Sequence, residues 1–159
     1  MSRQRWPRLC SKAVHEIASI GFGGGLAACL VLNQVANRAS PAEFAAARRA
    51  FAAIAQYLLL PSMTIVVMSG LIALIATRAY MDAGWAWLKA LLGLSVFEAT
   101  LMIVGSSRKQ AEVMAAAADP TLLDALLRSE RNTIFLLIVL TTANVLLAVW
   151  RPRLTVGSY

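Results

Sequence analysis

The chain is poor in the residues from which metal centres and nucleophilic sites are built. It has one histidine, His15, and two cysteines, Cys10 and Cys29. A lone histidine excludes a histidine-rich metal centre and a bis-histidine haem within one subunit. The sequence contains no histidine–cysteine cluster, phosphate-binding glycine loop or nucleophile elbow. Charge is scarce as well: 14% of residues are charged, against about a quarter in a soluble domain. If one helix joins Cys10 to Cys29, about 28 Å separates them, which excludes an intramolecular disulfide and leaves two free thiols. There are no long internal repeats. The longest polar gap, Ser106 to Asn132, leaves no room for a soluble domain.

What the chain has is apolar length. Hydrophobic residues make up 59% of it, and mean hydropathy is +0.67. They fall in four blocks, at 13–35, 51–76, 85–105 and 133–150. A spanning helix needs roughly 20 apolar residues. The first three blocks meet this; the fourth is short and is extended by Asn132 and the Trp150 anchor. The sequence therefore predicts a single all-α membrane domain, a four-helix bundle in contact with the lipid bilayer.

The net charge of +7 does not point to nucleic acid, because the basic residues cluster at span ends. Each side carries seven Lys/Arg, so a raw count ties. The dense group Arg3, Arg5, Arg8 and Lys12 before the first span breaks the tie toward cytoplasmic termini. Trp6, Trp85, Trp87 and Trp150 all fall on that terminal side, where aromatic anchors sit at an interface. The expected location is the bacterial inner membrane. Leu26-Ala27-Ala28-Cys29 looks like a lipobox, but His15 and Glu16 interrupt the apolar stretch a signal sequence needs.

Local signals add detail. Ser40-Pro41-Ala42-Glu43 has the form of a capping box with proline at N1, so the second helix starts well before its span. Pro61 removes a backbone hydrogen bond inside that span and predicts a kink. Ser69-Gly70 offers a small-residue patch for close helix approach. Tyr80 to Gly84 is a short turn, making spans two and three antiparallel neighbours. Asp119-Pro120 caps a stripe of Leu122, Leu123, Leu126 and Leu127, read as a short amphipathic surface helix between spans three and four.

Polar groups within the spans are the functional candidates. His15 and Glu16 open span one. Gly21, Gly23, Gly24 and Gly25 then clear side chains from a turn, either to make room for a ligand or to let helices pack tightly. Lys89 opens span three, either snorkelling to the interface or facing His15 from the same leaflet. Glu98 lies nine residues on, half a turn away, so it cannot pair with Lys89. Gln56 on helix two is placed to hydrogen-bond it; a subunit contact or a proton role are the other readings. Asn144 and Thr141 share a face as interhelical glue, and Asn33 and Gln34 are read as solvated. Met63 and Met68 are either packing residues, as membrane methionines usually are, or candidates to join His15 on a haem iron.

Several segments resemble one family in order. They are Lys12-Ala13-Val14-His15, Ala47-Arg48-Arg49, Pro61-Ser62-Met63, Ser69-Gly70-Leu71, Gly84-Trp85-Ala86-Trp87-Leu88-Lys89 and Arg151-Pro152-Arg153. Together they resemble the four-helix bacterial membrane superfamily of HemJ-type protoporphyrinogen oxidases and CopD copper-resistance domains, and especially the integral membrane family beside these. The resemblance implies haem b with His15 as axial ligand and Lys89 paired with a propionate or acidic substrate, Gly23 lying in the segment cleared for a flat ring. The chain departs from that pattern at Asn33-Gln34-Val35-Ala36, where HemJ-like chains carry basic, aromatic and histidine residues, and at Glu98. The competing expectation is a non-catalytic membrane subunit or scaffold, a homo-oligomer or part of a membrane complex, contacting partners through Glu98.

Overall fold

The computed structural model describes residues 5–35, 40–108 and 119–150. Among them the elements are α1 (Arg5–Val35), α2 (Pro41–Ile54), a π-helical turn (Ala55–Leu59), α3 (Leu60–Ala76), α4 (Arg78–Met81), α5 (Gly84–Arg108) and α6 (Pro120–Trp150). The two predicted caps form. Ser40 is extended, and its Oγ accepts from the Glu43 amide at 3.4 Å. Asp119 Oδ1 accepts from the Thr121 amide at 2.9 Å, the Leu122 amide at 3.3 Å and the Thr121 hydroxyl at 2.6 Å.

At Pro61 the helix ladder changes locally, as a π turn. Pro61 cannot donate to the carbonyl of Tyr57, and the chain widens into the π turn just before it. The helix then continues to Ala76, so α2, the π turn and α3 make one rod, Pro41–Ala76, of 36 residues. α4 supplies one helical turn between α3 and α5.

Four rods are long and apolar enough to cross a membrane: Leu9–Val35, Pro41–Ala76, Gly84–Gly105 and Pro120–Trp150. The last corrects one expectation. The leucine stripe at Leu122–Leu127 is not a separate surface helix but the first turns of α6, which runs 31 residues without a break. Nothing between Asp124 and Thr133 stops a helix; the polar residues there are all helix-compatible. At 1.5 Å per residue α6 is about 46 Å long, well beyond a hydrocarbon thickness of about 30 Å.

The rods close into a ring: α1 packs on α3, α3 on α5, α5 on α6, and α6 back on α1. The core comes from all four and includes Phe22, Leu26, Phe51, Leu59, Met63, Ile103, Ile134 and Leu137. A second small cluster, Phe44 with Leu123 and Leu127, lies toward the first and third connections. Outward faces carry exposed apolar side chains such as Ile20, Ile75, Val139 and Val149, which a bilayer covers. Cys10 is exposed, Cys29 is buried within α1, and both are free thiols.

Candidate functional site

His15 lies on the face of α1 that meets α3. Its Nδ1 is 2.7 Å from Ser69 Oγ. The Ser69 hydroxyl spends its own proton on the Ile65 carbonyl, 2.6 Å away, as helical serines often do. Its oxygen can then accept from the ring at Nδ1. The Val66 backbone carbonyl is a second hydrogen-bonding partner of the ring. The ring rests over Gly70: Cε1 is 3.9 Å from where a Cβ would stand. The Ser69-Gly70 patch thus lies against the ring, and Ser69 anchors it at Nδ1.

Lys89 is half-buried on α5, and its ammonium is near enough to act electrostatically on His15. The backbone carbonyl of Lys89 accepts from Asn144 Nδ2 at 3.2 Å, which ties α5 to α6 at this level. A Cβ on Gly93 would stand 3.7 Å from Asn144 Nδ2, in ordinary contact, so the carboxamide does not depend on that glycine. Asn144 Oδ1 and Thr141 Oγ1 are buried with no hydrogen-bond partner among the described residues.

These positions share one depth. Measured along each helix from the terminal-side ends at Leu9, Ala76, Gly84 and Trp150, His15, Ser69, Lys89 and Asn144 lie between about 7 and 11 Å inside. All four rods therefore contribute to one polar layer. Trp85 and Trp87 sit just outside it. Trp87 Nε1 donates to the Met81 carbonyl at 2.8 Å, and the Trp85 ring meets Tyr80 edge to face at 5.7 Å.

Other predicted residues do not join the layer. The glycines divide between the two readings. Gly21 and Gly25 serve packing, because a Cβ would stand 3.1 Å from Ser62 Oγ at the first and 2.7 Å from Leu59 Cδ2 at the second. Gly23 and Gly24 face open space. Gly23 is a quarter turn round α1 from His15 and about 12 Å further along. Met63 is in the core, and Met68 is 55% exposed. Gln56 and Glu98 are both exposed, and no hydrogen bond joins them. Ser95, a turn from Glu98, donates instead to the Leu91 carbonyl at 3.1 Å.

A second polar centre lies at the opposite end and is not visible in the sequence patterning above. Arg48 donates to both oxygens of Glu130, Nη1 to Oε2 at 2.6 Å and Nη2 to Oε1 at 2.9 Å. Asn33 Nδ2 donates to Glu130 Oε2 at 2.8 Å and to the Leu127 carbonyl at 3.3 Å. The ion-paired side chains are only 4% and 7% exposed, so this is a buried pair. Asn33 is correspondingly buried, which corrects its reading as solvated; Gln34 beside it is exposed. The Arg48 guanidinium also stacks over Phe51, 4.7 Å from the ring centre. The signal was present in the spacing. Phe44, Arg48 and Phe51 share a face of α2, and Glu130 continues the Leu123–Leu127 stripe toward Ile134 and Leu137.

Among the described residues no three His, Cys, Asp or Glu side chains come together as a metal site. A copper centre of several histidines or methionines does not fit this chain. A lone imidazole anchored through one nitrogen would be able to serve a haem iron as a protein ligand. A haem histidine keeps one nitrogen anchored and offers the other.

Fold and polar layer together define a multi-pass, four-helix membrane protein. Comparison with protein-family models, with curated proteins and with solved structures gives no match.

Proposed function

We propose that the protein is a haem b-associated, redox-linked protein of the bacterial inner membrane, with both termini in the cytoplasm. The observation that carries this is the His15–Ser69 hydrogen bond, which anchors a lone imidazole through Nδ1 inside the polar layer. His15 would be the axial ligand, and Lys89 would pair with a propionate or an acidic substrate. Haem bound there would supply one-electron chemistry. The protein's part is to hold the imidazole at Nδ1, set a cation beside it and keep the layer within the membrane. The basic cluster before α1 and the terminal-side tryptophans support the orientation.

An absorption spectrum of the detergent-purified protein tests this reading. A Soret band is expected, and His15→Ala should remove it. Well-folded, colourless wild-type protein would sink the proposal. A second reading, a scaffold that associates with membrane partners, is favoured by Glu98, a carboxyl on the outer face of a spanning helix.

A further inference from the structure

Glu98 faces outward from α5, seven residues or about 10 Å inside the Gly105 end of its span. Half-buried Lys89 lies on the opposite face of the same helix. Among the described residues no ion pair or hydrogen bond reaches the Glu98 carboxyl. A carboxyl left against hydrocarbon is strongly unfavourable, so something with hydrogen-bonding capacity must meet it.

The face around Glu98 has a pattern. Leu91, Ser95, Glu98, Met102 and Gly105 are all exposed. Their spacing alternates four, three, four, three, which is the seam of a left-handed helix pair. Ser95 and Gly105 are small, and nothing lies within 4 Å of a Cβ built on Gly105. Both let a second backbone approach closely. Met102, 74% exposed, and Leu91, 62% exposed, supply the knobs.

The seam also indicates its occupant. Two copies of one chain lie in a membrane with the same orientation. A two-fold axis along the membrane normal therefore sets their α5 helices parallel and at equal depth. Glu98 then meets the same residue of the second copy. A protonated carboxyl donates one hydrogen bond and accepts another, so two of them satisfy each other as a neutral pair. An unrelated partner would have to present a polar group at the same depth, whereas a second copy does so by symmetry. We propose that the protein forms a parallel homodimer along α5, centred on hydrogen-bonded Glu98 carboxyls. This deepens the scaffold reading, on which it rests, by naming the partner.

Disulfide crosslinking of the full chain in liposomes of phosphatidylethanolamine and phosphatidylglycerol, at low protein density, provides the test. Cys10→Ser removes the exposed thiol, and buried Cys29 stays. Single cysteines are then walked from Leu91 to Gly105. Crosslinking should peak at Ser95→Cys and Met102→Cys and be about tenfold weaker at inward-facing Val96→Cys and Thr100→Cys. Adding Glu98→Leu should lower the Ser95→Cys yield about tenfold, while Glu98→Gln, which keeps a donor and an acceptor, stays within about twofold. Uniformly weak crosslinking, or a dimer indifferent to Glu98→Leu, overturns the proposal. A monomer that instead binds another membrane protein through Glu98 also overturns it, yet leaves the scaffold reading standing.

Discussion

Arg48 and Glu130 form a charged layer between two apolar ones. Phe44, Leu123 and Leu127 lie on one side, and Phe51 and Ile134 on the other. Burial makes the pair sensitive to partial removal. Glu130→Ala strands a guanidinium and should cost about 3–5 kcal/mol, measured by denaturant titration in detergent. The joint replacement Arg48→Met with Glu130→Leu should recover most of that loss. A double variant as unstable as the single one would contradict the layer's apolar setting. Asp119 gives a pH-dependent counterpart at the start of α6. The Thr121 hydroxyl, then the Leu122 and Thr121 amides, hold its carboxyl below the usual carboxylate range. The cap is thus fully formed above the ordinary unfolded value and is lost as pH falls through the lower folded one. Amide exchange at Leu122 and Leu123 should rise over that acidic window and stay flat above it.

At the scale of elements, the glycines of α1 separate packing from space. Gly25→Val would press on Leu59, which is fully buried and has nowhere to retreat. A loss of about 1–3 kcal/mol is expected from overpacking. Gly23→Ala meets open space and should be neutral, or stabilising by up to about 1 kcal/mol through helix propensity. Equal effects at the two sites would refute the assignment of α1's contact face. These elements also show how far the chain could be read in advance. The four spans, both caps and the disturbance at Pro61 follow from local chemistry, and the sequence carries them plainly. The same local rules place Lys89 and Glu98 on opposite faces. Continuity of α6 was hidden because polar residues from Asp124 to Thr133 look like a break in hydropathy while posing no obstacle to a helix. The Asn33–Arg48–Glu130 centre was hidden for another reason. Charges near span ends normally orient a helix in water, and only the meeting of three helices turns these into a buried network. The His15–Ser69 bond joins residues 54 apart and depends likewise on packing.

At the scale of the whole molecule, two polar centres among the described residues lie at opposite ends of the bundle. His15 and Asn33 are 18 residues apart on α1, or about 27 Å along its axis. The Asn33–Arg48–Glu130 centre links α1, α2 and α6 as a structural tie; the His15 layer draws on all four rods and holds the lone imidazole. This polarity fits the orientation proposed above, with the His15 layer in the cytoplasmic leaflet. A cysteine placed at Ser2 in a Cys10→Ser chain should label only after cells are permeabilised, and one at Pro41 should label from outside. The reverse pattern would invert the orientation. The claim that ties these scales together is that His15 Nε2 is a ligand. It is tested most directly by the absorption spectrum of His15→Gly, recorded with and without added imidazole. The Soret band is expected to be lost in the variant and restored by imidazole, which supplies the missing nitrogen. A variant spectrum identical to that of the wild type, with or without imidazole, would contradict it.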